Sequence, residues 1–546
     1  MLKPLVCTFC EEFLEFRFLH VWLAFRPFVD ENVRNSKDEN ARTPFKVFSR
    51  PPEQNDRVEN VFTPEEYEEG DSYQDVPLGG RFGQFNVMTP ITERTFEFTS
   101  STAAHLPPPT DPELIIEERI ASLSLIDTLT LNYKFHPSNP CNPFDPAILS
   151  NLISRVPTDL QFYDLRGQQS NKLNELERFV KKIRKTSSGS DKTGVLDCST
   201  FTLVLRGHKF NVTEKLGEGG FGSVFKARDA GVQMGEDDDD DDFDDGDELS
   251  SMVALKVVKP RNVWEYHVLR RLYSSLPPSL RRSVVLPHAL YAFDDESYLV
   301  LELCPQGMLL NIINNAVSAG VSQAGACLDE LLVMFFSVEL LRLVEAMHNA
   351  GFIHGDLKID NCLLRLEDVP GGATAWSSRY QPSGEGGWSY KGLKVIDFGR
   401  TIDTKLFPCD QQFIADWATD ERDCFEVREN RPWTYQTDYF GLAGIIYCML
   451  FGKYIQANSV LTFMHEGGIQ KYKIATPFKR YWQTDIWNRL FDVLLNPCVV
   501  RSTGELPVCD ALGELRKEME QWLQANCNRT SNTLKGLLKK VEMSCY

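Results

Sequence analysis

His354-Gly355-Asp356-Leu357-Lys358-Ile359-Asp360-Asn361, running into the apolar Cys362-Leu363-Leu364, decides how this chain of 546 residues is read. It follows ELLVMFFSVELLRLVEAMHNAG (330–351), a long apolar segment with helical texture. A carboxylate at Asp356 can accept the proton of an attacking hydroxyl. Lys358, two residues on, supplies a cation beside it, and Asn361 supplies an oxygen for a divalent metal ion. Asp397-Phe398-Gly399 follows the strand-like LKVI, 41 residues after Asp356, and offers a second hard oxygen ligand.

Upstream stands Gly217-Glu218-Gly219-Gly220-Phe221-Gly222, followed by Val224. Glycines let a turn bring its N–H groups close to phosphates. A dinucleotide-binding turn needs a following helix, and here the strand-like SVFKAR follows, which favours a loop covering ATP. Val253-Ala254-Leu255-Lys256 ends an apolar run on a lysine, suited to the α- and β-phosphates. Glu265, nine residues on in the helical WEYHVLRRL, is the carboxylate to hold that ammonium. Leu301 to Leu303, with Glu302 between them, start the hinge where backbone groups meet adenine. Asp438-Tyr439-Phe440-Gly441 opens another apolar helix. An aspartate there either binds the N–H groups of the 354–361 loop or caps the helix, by the same chemistry. In this order the motifs describe phosphoryl transfer from ATP with Mg²⁺ on Asn361 and Asp397.

Composition limits the alternatives. Lys plus Arg total 58 and Asp plus Glu total 77, a formal charge of −19. That excludes coating nucleic acid by bulk charge and attachment to an anionic membrane through a basic surface. The 42% apolar content, with 35 Phe and 9 Trp, excludes disorder throughout. Eleven acidic groups lie in 236–248, EDDDDDDFDDGDE, and the rest of the chain balances near −8. Such a run reads as a solvated hairpin tip. Placed beside the ATP-covering loop, it would favour basic substrates. Of the 14 cysteines only Cys7 and Cys10 form a C-x-x-C, with no second pair to complete a zinc site, so free thiols in a reducing compartment are expected. Residues 12–29 carry Glu15, Arg17, His20 and Arg26, too polar for a spanning helix. The Asn528-Arg529-Thr530 sequon is expected to be idle, in cytosol or nucleus.

Residues 30–111 are polar and broken by proline, and 1–111 reads as a mostly disordered region. A helical stripe runs over 113–131. Asp145-Pro146 opens a short amphipathic helix through Ile148, Leu149, Leu152 and Ile153, and Asn174 to Lys185 forms a basic one. From Phe201, FTLVL, FNVTEKLGEGGFGSVFKARD and MVALKVVK read as three strands, with the acidic run between the last two. Helical patterns dominate after Asp329. Strands first and helices afterwards predict a two-lobed α+β domain. PGGATAWSSRYQPSGEGGWSYKG, between Asp356 and Asp397, reads as a loop insertion.

HGDLKIDN, DFGRTIDTKLFP (397–408) and NRPWTYQTDYFGLAGIIYCMLFGKY (430–454) together resemble the Bub mitotic-checkpoint kinases. The short Lys256-to-Glu265 spacing and Asn142-Pro143-Phe144 with its helix are similar to theirs too. The resemblance implies a bilobal protein-kinase fold over 206–545, and an N-terminal helical extension over 112–205 that wraps on the N-lobe. It implies a serine/threonine protein kinase of the spindle-assembly checkpoint, using ATP and Mg²⁺ and acting on a core-histone tail and checkpoint proteins. The implied location is the nucleus, at kinetochores and centromeres in mitosis among kinetochore proteins, with a cytoplasmic pool. No direct nucleic-acid or membrane partner is implied. Phe45-Lys46-Val47-Phe48 is similar to motifs that dock the anaphase-promoting complex co-activator.

Three departures carry expectations. Gly355 stands where most kinases have Arg, so no residue there pairs with a phosphorylated activation loop, and activity without that phosphate is expected. No Ala-Pro-Glu closes the activation segment, and Glu426 stands in for its glutamate. The family's N-terminal repeats are not visible, so the chain reads as a fragment or a short divergent form. Two other readings compete. A pseudokinase scaffold would lack some of Lys256, Glu265, Asp356, Asn361 and Asp397, all of which are present. A small-molecule phosphotransferase also uses His-Gly-Asp, but Lys358 and the Asp438 helix argue against it.

Overall fold

The computed structural model describes residues 135–187, 200–219, 222–232, 251–323, 328–417, 419–465, 468–529 and 532–545. The helix expected over 113–131, the motif at 45–48, the Cys7–Cys10 pair, Gly220, Phe221 and the acidic run lie outside them.

The chain order begins with α1 (Pro146–Ser154), β1 (Phe162–Asp164) and α2 (Leu173–Ser187). The Asp145 carboxylate accepts from Ala147 N–H at 2.9 Å, and Pro146 needs no donor at the first helical position, so α1 starts there. β2 (Phe201–Leu205), β3 (His208–Gly219), β4 (Gly222–Val232) and β5 (Met252–Val258) follow, then α3 (Trp264–Ser275), β6 (Pro287–Ala292) and β7 (Ser297–Glu302). These strands form one seven-stranded sheet in the order β1-β6-β7-β5-β4-β3-β2, antiparallel except for β1 against β6.

Two sequence expectations change here. The middle strand is really two, because Gly219 pairs with Gly222 and the chain turns back between them. The acidic run is attached between Val232 and Met252, at the other end of β4 from Gly222. Eleven residues of strand separate the ends, about 33 Å, so the attachment is not beside the glycine turn.

β5 is buried from Val253 to Val258 because both faces of the sheet are covered. On one face Leu176 and Val180 of α2 pack with Leu203, Phe210, Phe225 and Leu255. On the other, Tyr266, Val268, Leu269 and Leu272 of α3 pack with Leu290, Leu299 and Leu301. Each such leucine contributes roughly 1.5–3 kcal/mol.

The helical lobe contains α4 (Leu309–Asn314), α5 (Glu330–Asn349), β8 (Phe352–Ile353), β9 (Cys362–Leu366), β10 (Lys391–Val395), β11 (Ile402–Asp403) and α6 (Gln436–Phe451). It closes with β12 (Val460–Met464), β13 (Gln470–Ile474), α7 (Thr484–Leu495), α8 (Cys509–Asn526) and α9 (Leu534–Met543). α5 and α6 are apolar almost all round and are the buried centre of the lobe. β9–β10 and β8–β11 are antiparallel pairs that fix the two ends of the site loops. The expected loop insertion is packed against the lobe. Trp376, Tyr380 and Trp388 are buried, with Trp388 5.5 Å from Trp376, 5.2 Å from Tyr380 and 5.8 Å from Phe335 of α5. Among the described residues no helix is long and apolar enough to cross a membrane, and every cysteine is a free thiol.

Candidate active site

The sheet presents Lys256 from β5, between Val224 of β4 and Leu299 of β7. Its Nζ lies 2.6 and 2.8 Å from the two Glu265 oxygens and 2.8 Å from Asp397 Oδ1. The apolar face of α3 docks on the sheet, which leaves Glu265, in the first turn, facing β5. The nine-residue spacing works because β5 ends at Val258 and α3 begins at Trp264. Asn262 Oδ1 accepts from Trp264 N–H at 2.9 Å, and Trp264 Nε1 donates to Thr401 O at 2.9 Å, tying that short connection to the segment after Asp397. Burial disfavours the Lys256 charge, but the carboxylates of Glu265 and Asp397 outweigh it and hold the lysine above its ordinary value. Burial likewise pushes Asp397 up, and Lys256, with Lys358 and His354 nearby, pulls it below the ordinary carboxylate value.

Across the cleft, β8 leads into the 354–361 loop. Asp438 is fully buried beneath it. Its Oδ2 accepts from His354 N–H at 2.7 Å and its Oδ1 from Gly355 N–H at 2.9 Å, while His348 Nε2 lies 2.9 Å away. Burial raises the Asp438 carboxyl, but His348, His354 and the Gly355 N–H more than compensate and keep it low. A side chain on Gly441 would collide with the Leu357 carbonyl, so helix and loop meet backbone to backbone. On this frame Asp356 Oδ2 lies 2.7 Å from Lys358 Nζ, and Asn361 Nδ2 donates to the Asp356 carbonyl at 2.8 Å. That bond fixes the Asn361 amide in a one-turn helix, Ile359–Asn361. Asp397 adopts a left-handed φ of 66°, and Phe398 is buried with its ring 4.7 Å from that of His354. Asp397 and Asn361 are hard oxygen donors. No cluster of three or more Asp, Glu, His or Cys side chains suited to a metal occurs among the described residues. One carboxylate and one amide suit Mg²⁺, which dehydrates reluctantly and completes its shell with water and substrate phosphates.

In the glycine turn Gly217 pairs with Val224, Glu218 with Ser223 and Gly219 with Gly222. Ala254 is buried opposite Leu301. Glu302 ends β7, and its carboxylate accepts from Leu286 N–H at 2.6 Å and pairs with Lys394 at 2.5 Å, while Leu303 packs on the core. Glu426 sits in a one-turn helix, Phe425–Arg428, with Arg431 3.7 Å away.

The segment after Asp397 is ordered by contacts that sequence reading missed. The N-terminal extension touches it directly as well as covering the sheet. Cys141 N–H donates to Gln412 O at 3.2 Å, and Ile414 N–H to Cys141 O at 2.9 Å. Arg155 Nη1 donates to Leu406 O at 2.6 Å, and the Phe135 ring lies 5.9 Å from Phe407. Gly355 has φ 77°, and a side chain there would collide with the Arg400 carbonyl. The absence of Arg at 355 is thus matched by backbone packing. Arg400 was the readable signal, standing next to Asp-Phe-Gly, but its partners come from distant chain segments.

The family described as Protein kinase domain matches residues 247–541. Over 437 residues the chain is 39% identical to the spindle assembly checkpoint serine/threonine-protein kinase bub1 of Schizosaccharomyces pombe, covering 78% of this chain and 40% of that protein. It is 32% identical over 403 residues to the mitotic checkpoint serine/threonine-protein kinase BUB1 of Arabidopsis thaliana, covering 74% and 68%. The chain therefore spans well under half of the yeast relative's length. A crystal structure of the BubR1 kinase domain is similar in fold, with a TM-score of 0.51 at 24% identity, covering 74% of this chain and all of that one. A kinase-domain match over more than half of the chain, and a plant relative covered over two thirds of its length, show that the chain belongs to the protein kinases and, within them, to the Bub1 family of mitotic checkpoint serine/threonine kinases.

Proposed function

We propose that this chain transfers the γ-phosphoryl group of Mg-ATP to Ser and Thr hydroxyls of proteins, as a kinase of the spindle-assembly checkpoint. The observation that carries this reading is the mutual pairing of Lys256, Glu265 and Asp397, with Lys358 close enough to act on the Asp397 charge. A scaffold would have no need to gather two carboxylates on a buried lysine.

The residues divide the work. Residues 217–222 and Val224 cover the phosphates, Ala254 and the backbone of Glu302 and Leu303 border the adenine, and Lys256, braced by Glu265, holds the α- and β-phosphates. Asp397 and Asn361 would hold Mg²⁺, which when bound would supply positive charge against the phosphates. Asp356 orients the substrate hydroxyl and takes its proton as that oxygen bonds to phosphorus and the bond to ADP breaks. Lys358 stabilises charge on the transferring group, and Asp438 holds the loop in place.

In this reading 112–205 is an extension bracing a kinase domain over 206–545. Core-histone tails and checkpoint proteins are the substrates. The protein works in the nucleus at kinetochores with kinetochore proteins, keeps a cytoplasmic pool, and meets the anaphase-promoting complex co-activator through 45–48. The test is phosphoryl transfer from Mg-ATP to core histones by the full chain, beside Asp397→Asn. Phosphoserine or phosphothreonine is expected with the wild type, and a loss of about 100-fold or more with the variant. Equal rates at equal melting temperature overturn the reading.

A further inference from the structure

We propose that Arg400, held in place by Trp417, is a positioning residue for Asp356. The inference rests on the reading of Asp356 as the group that takes the substrate proton.

The two oxygens of Asp356 have different partners. Oδ2 is taken by Lys358 Nζ at 2.7 Å, with Asn361 Nδ2 at 3.5 Å. Oδ1 faces Arg400, whose Nη1 lies 3.7 Å away. Two cations on two oxygens set the plane of the carboxylate, which decides which lone pair meets the substrate hydroxyl. Lys358 has a second duty toward the transferring phosphoryl group. When it turns to that duty, Arg400 remains as the cation on Asp356.

Arg400 itself is anchored at both ends. Its carbonyl occupies the space that only a glycine at 355 leaves open. Its neighbour Thr401 donates through Oγ1 to His354 O at 3.1 Å and accepts from Trp264 Nε1. Its guanidinium carbon lies 4.5 Å over the Trp417 ring, close enough for a cation–π contact. Trp417 in turn is set 6.1 Å from Trp433 and 6.1 Å from Phe144 of the N-terminal extension. Phe144, Trp417, Arg400 and Asp356 therefore form a continuous line of contacts.

The experiment compares steady-state kinetics of the full chain on core histones for wild type, Arg400→Met, Arg400→Gln, Arg400→Lys, Trp417→Leu, Arg400→Met with Trp417→Leu, and Asp356→Asn. Arg400→Met and Arg400→Gln are expected to lower kcat about tenfold with KM for ATP within about twofold and melting temperature unchanged, because misplacement acts on the reacting geometry rather than on nucleotide binding. Arg400→Lys is expected to recover part of the loss. Trp417→Leu is expected to lower kcat about threefold alone and to add nothing to Arg400→Met, the mark of two residues acting through one another. Full kcat in both Arg400→Met and Arg400→Gln beside an inactive Asp356→Asn overturns the inference and leaves the kinase reading standing. So do equal Trp417→Leu losses in both backgrounds. A fully active Asp356→Asn overturns the reading beneath it, and this inference with it.

Discussion

The two halves of the site are held by different means. On the sheet side, Lys256 and Glu265 are 8% and 6% exposed and hold one another, with Asp397 at 24%. On the helical side, Asp356 and Lys358 are 13% and 29% exposed, and Arg400 23%. The first group is built on a buried lysine–glutamate pair, with Asp397 at its more open edge, and each charge needs the others. In the second the two cations are the more exposed members, and its place is fixed from below by Asp438 and the Gly441 contact. Binding a polyanion suits the rigid buried lysine. In the proposed reaction, release of product suits cations left partly open to the cleft.

Breaking the first group should have the largest effect. Lys256→Met leaves Glu265 and Asp397 without their cation. Phosphoryl transfer should fall by about a thousandfold or more, and unfolding by urea should register a loss of about 3 kcal/mol. An unchanged midpoint would show that the cluster does not hold the lobe together.

The frame under the second group comes next. Asp438→Ala removes the acceptor for two buried N–H groups and for His348. A loss of about 2–4 kcal/mol is expected by the same measurement, with the cleft charges themselves untouched.

A smaller effect depends on pH. The His267 ring on α3 is buried 4.9 Å from Phe162, its Nε2 has no partner, and burial lowers its pKa from 6.5 to about 4. The unfolded chain binds this proton below about pH 6.5 and the folded chain does not until about pH 4. Its contribution is therefore complete above pH 6.5 and is lost as pH falls from there toward 4, at about 1 kcal/mol per pH unit. Urea midpoints at pH 7, 6 and 5 should fall less steeply in His267→Leu than in wild type. Parallel slopes would remove His267 from the account.

The smallest expected effect is none. The extension and Gly355 order the segment after Asp397 without a phosphate, so phosphatase treatment should leave the initial rate on core histones unchanged. A loss of activity traced to a phosphate in that segment would make the helical side depend on modification.

The sequence made legible whatever a local pattern carries. Asp356, Lys358, Asn361, Asp397 and Asp438 sit in short motifs whose spacing reflects one turn or one loop. Lys256 and Glu265 were readable because a strand and a helix follow one another closely. The cap on α1 at Asp145 is local in the same sense. What escaped depends on chain segments far apart. Arg155 reaches Leu406 across 251 positions, and nothing near either residue signals the bond. The segment 370–392 reads as a loop insertion because its Gly, Ser and Pro content is local, whereas the packing of Tyr380 and Trp388 needs Phe335 of α5. The glycine turn is legible as a turn, but the strands on its two sides read as one run because Val212, Thr213 and Val224 flank it closely. Gly355 was legible as a missing arginine, but its φ of 77° and its contact with Arg400 were not.

The most direct test of the account is the single-turnover rate of phosphoryl transfer from saturating Mg-ATP to core histones, in wild type and Asp356→Asn, beside nucleotide affinity measured on the same samples. The account predicts that Asp356→Asn binds Mg-ATP within about twofold of wild type while transfer slows by about a hundredfold or more. Transfer at the wild-type rate by Asp356→Asn would contradict it.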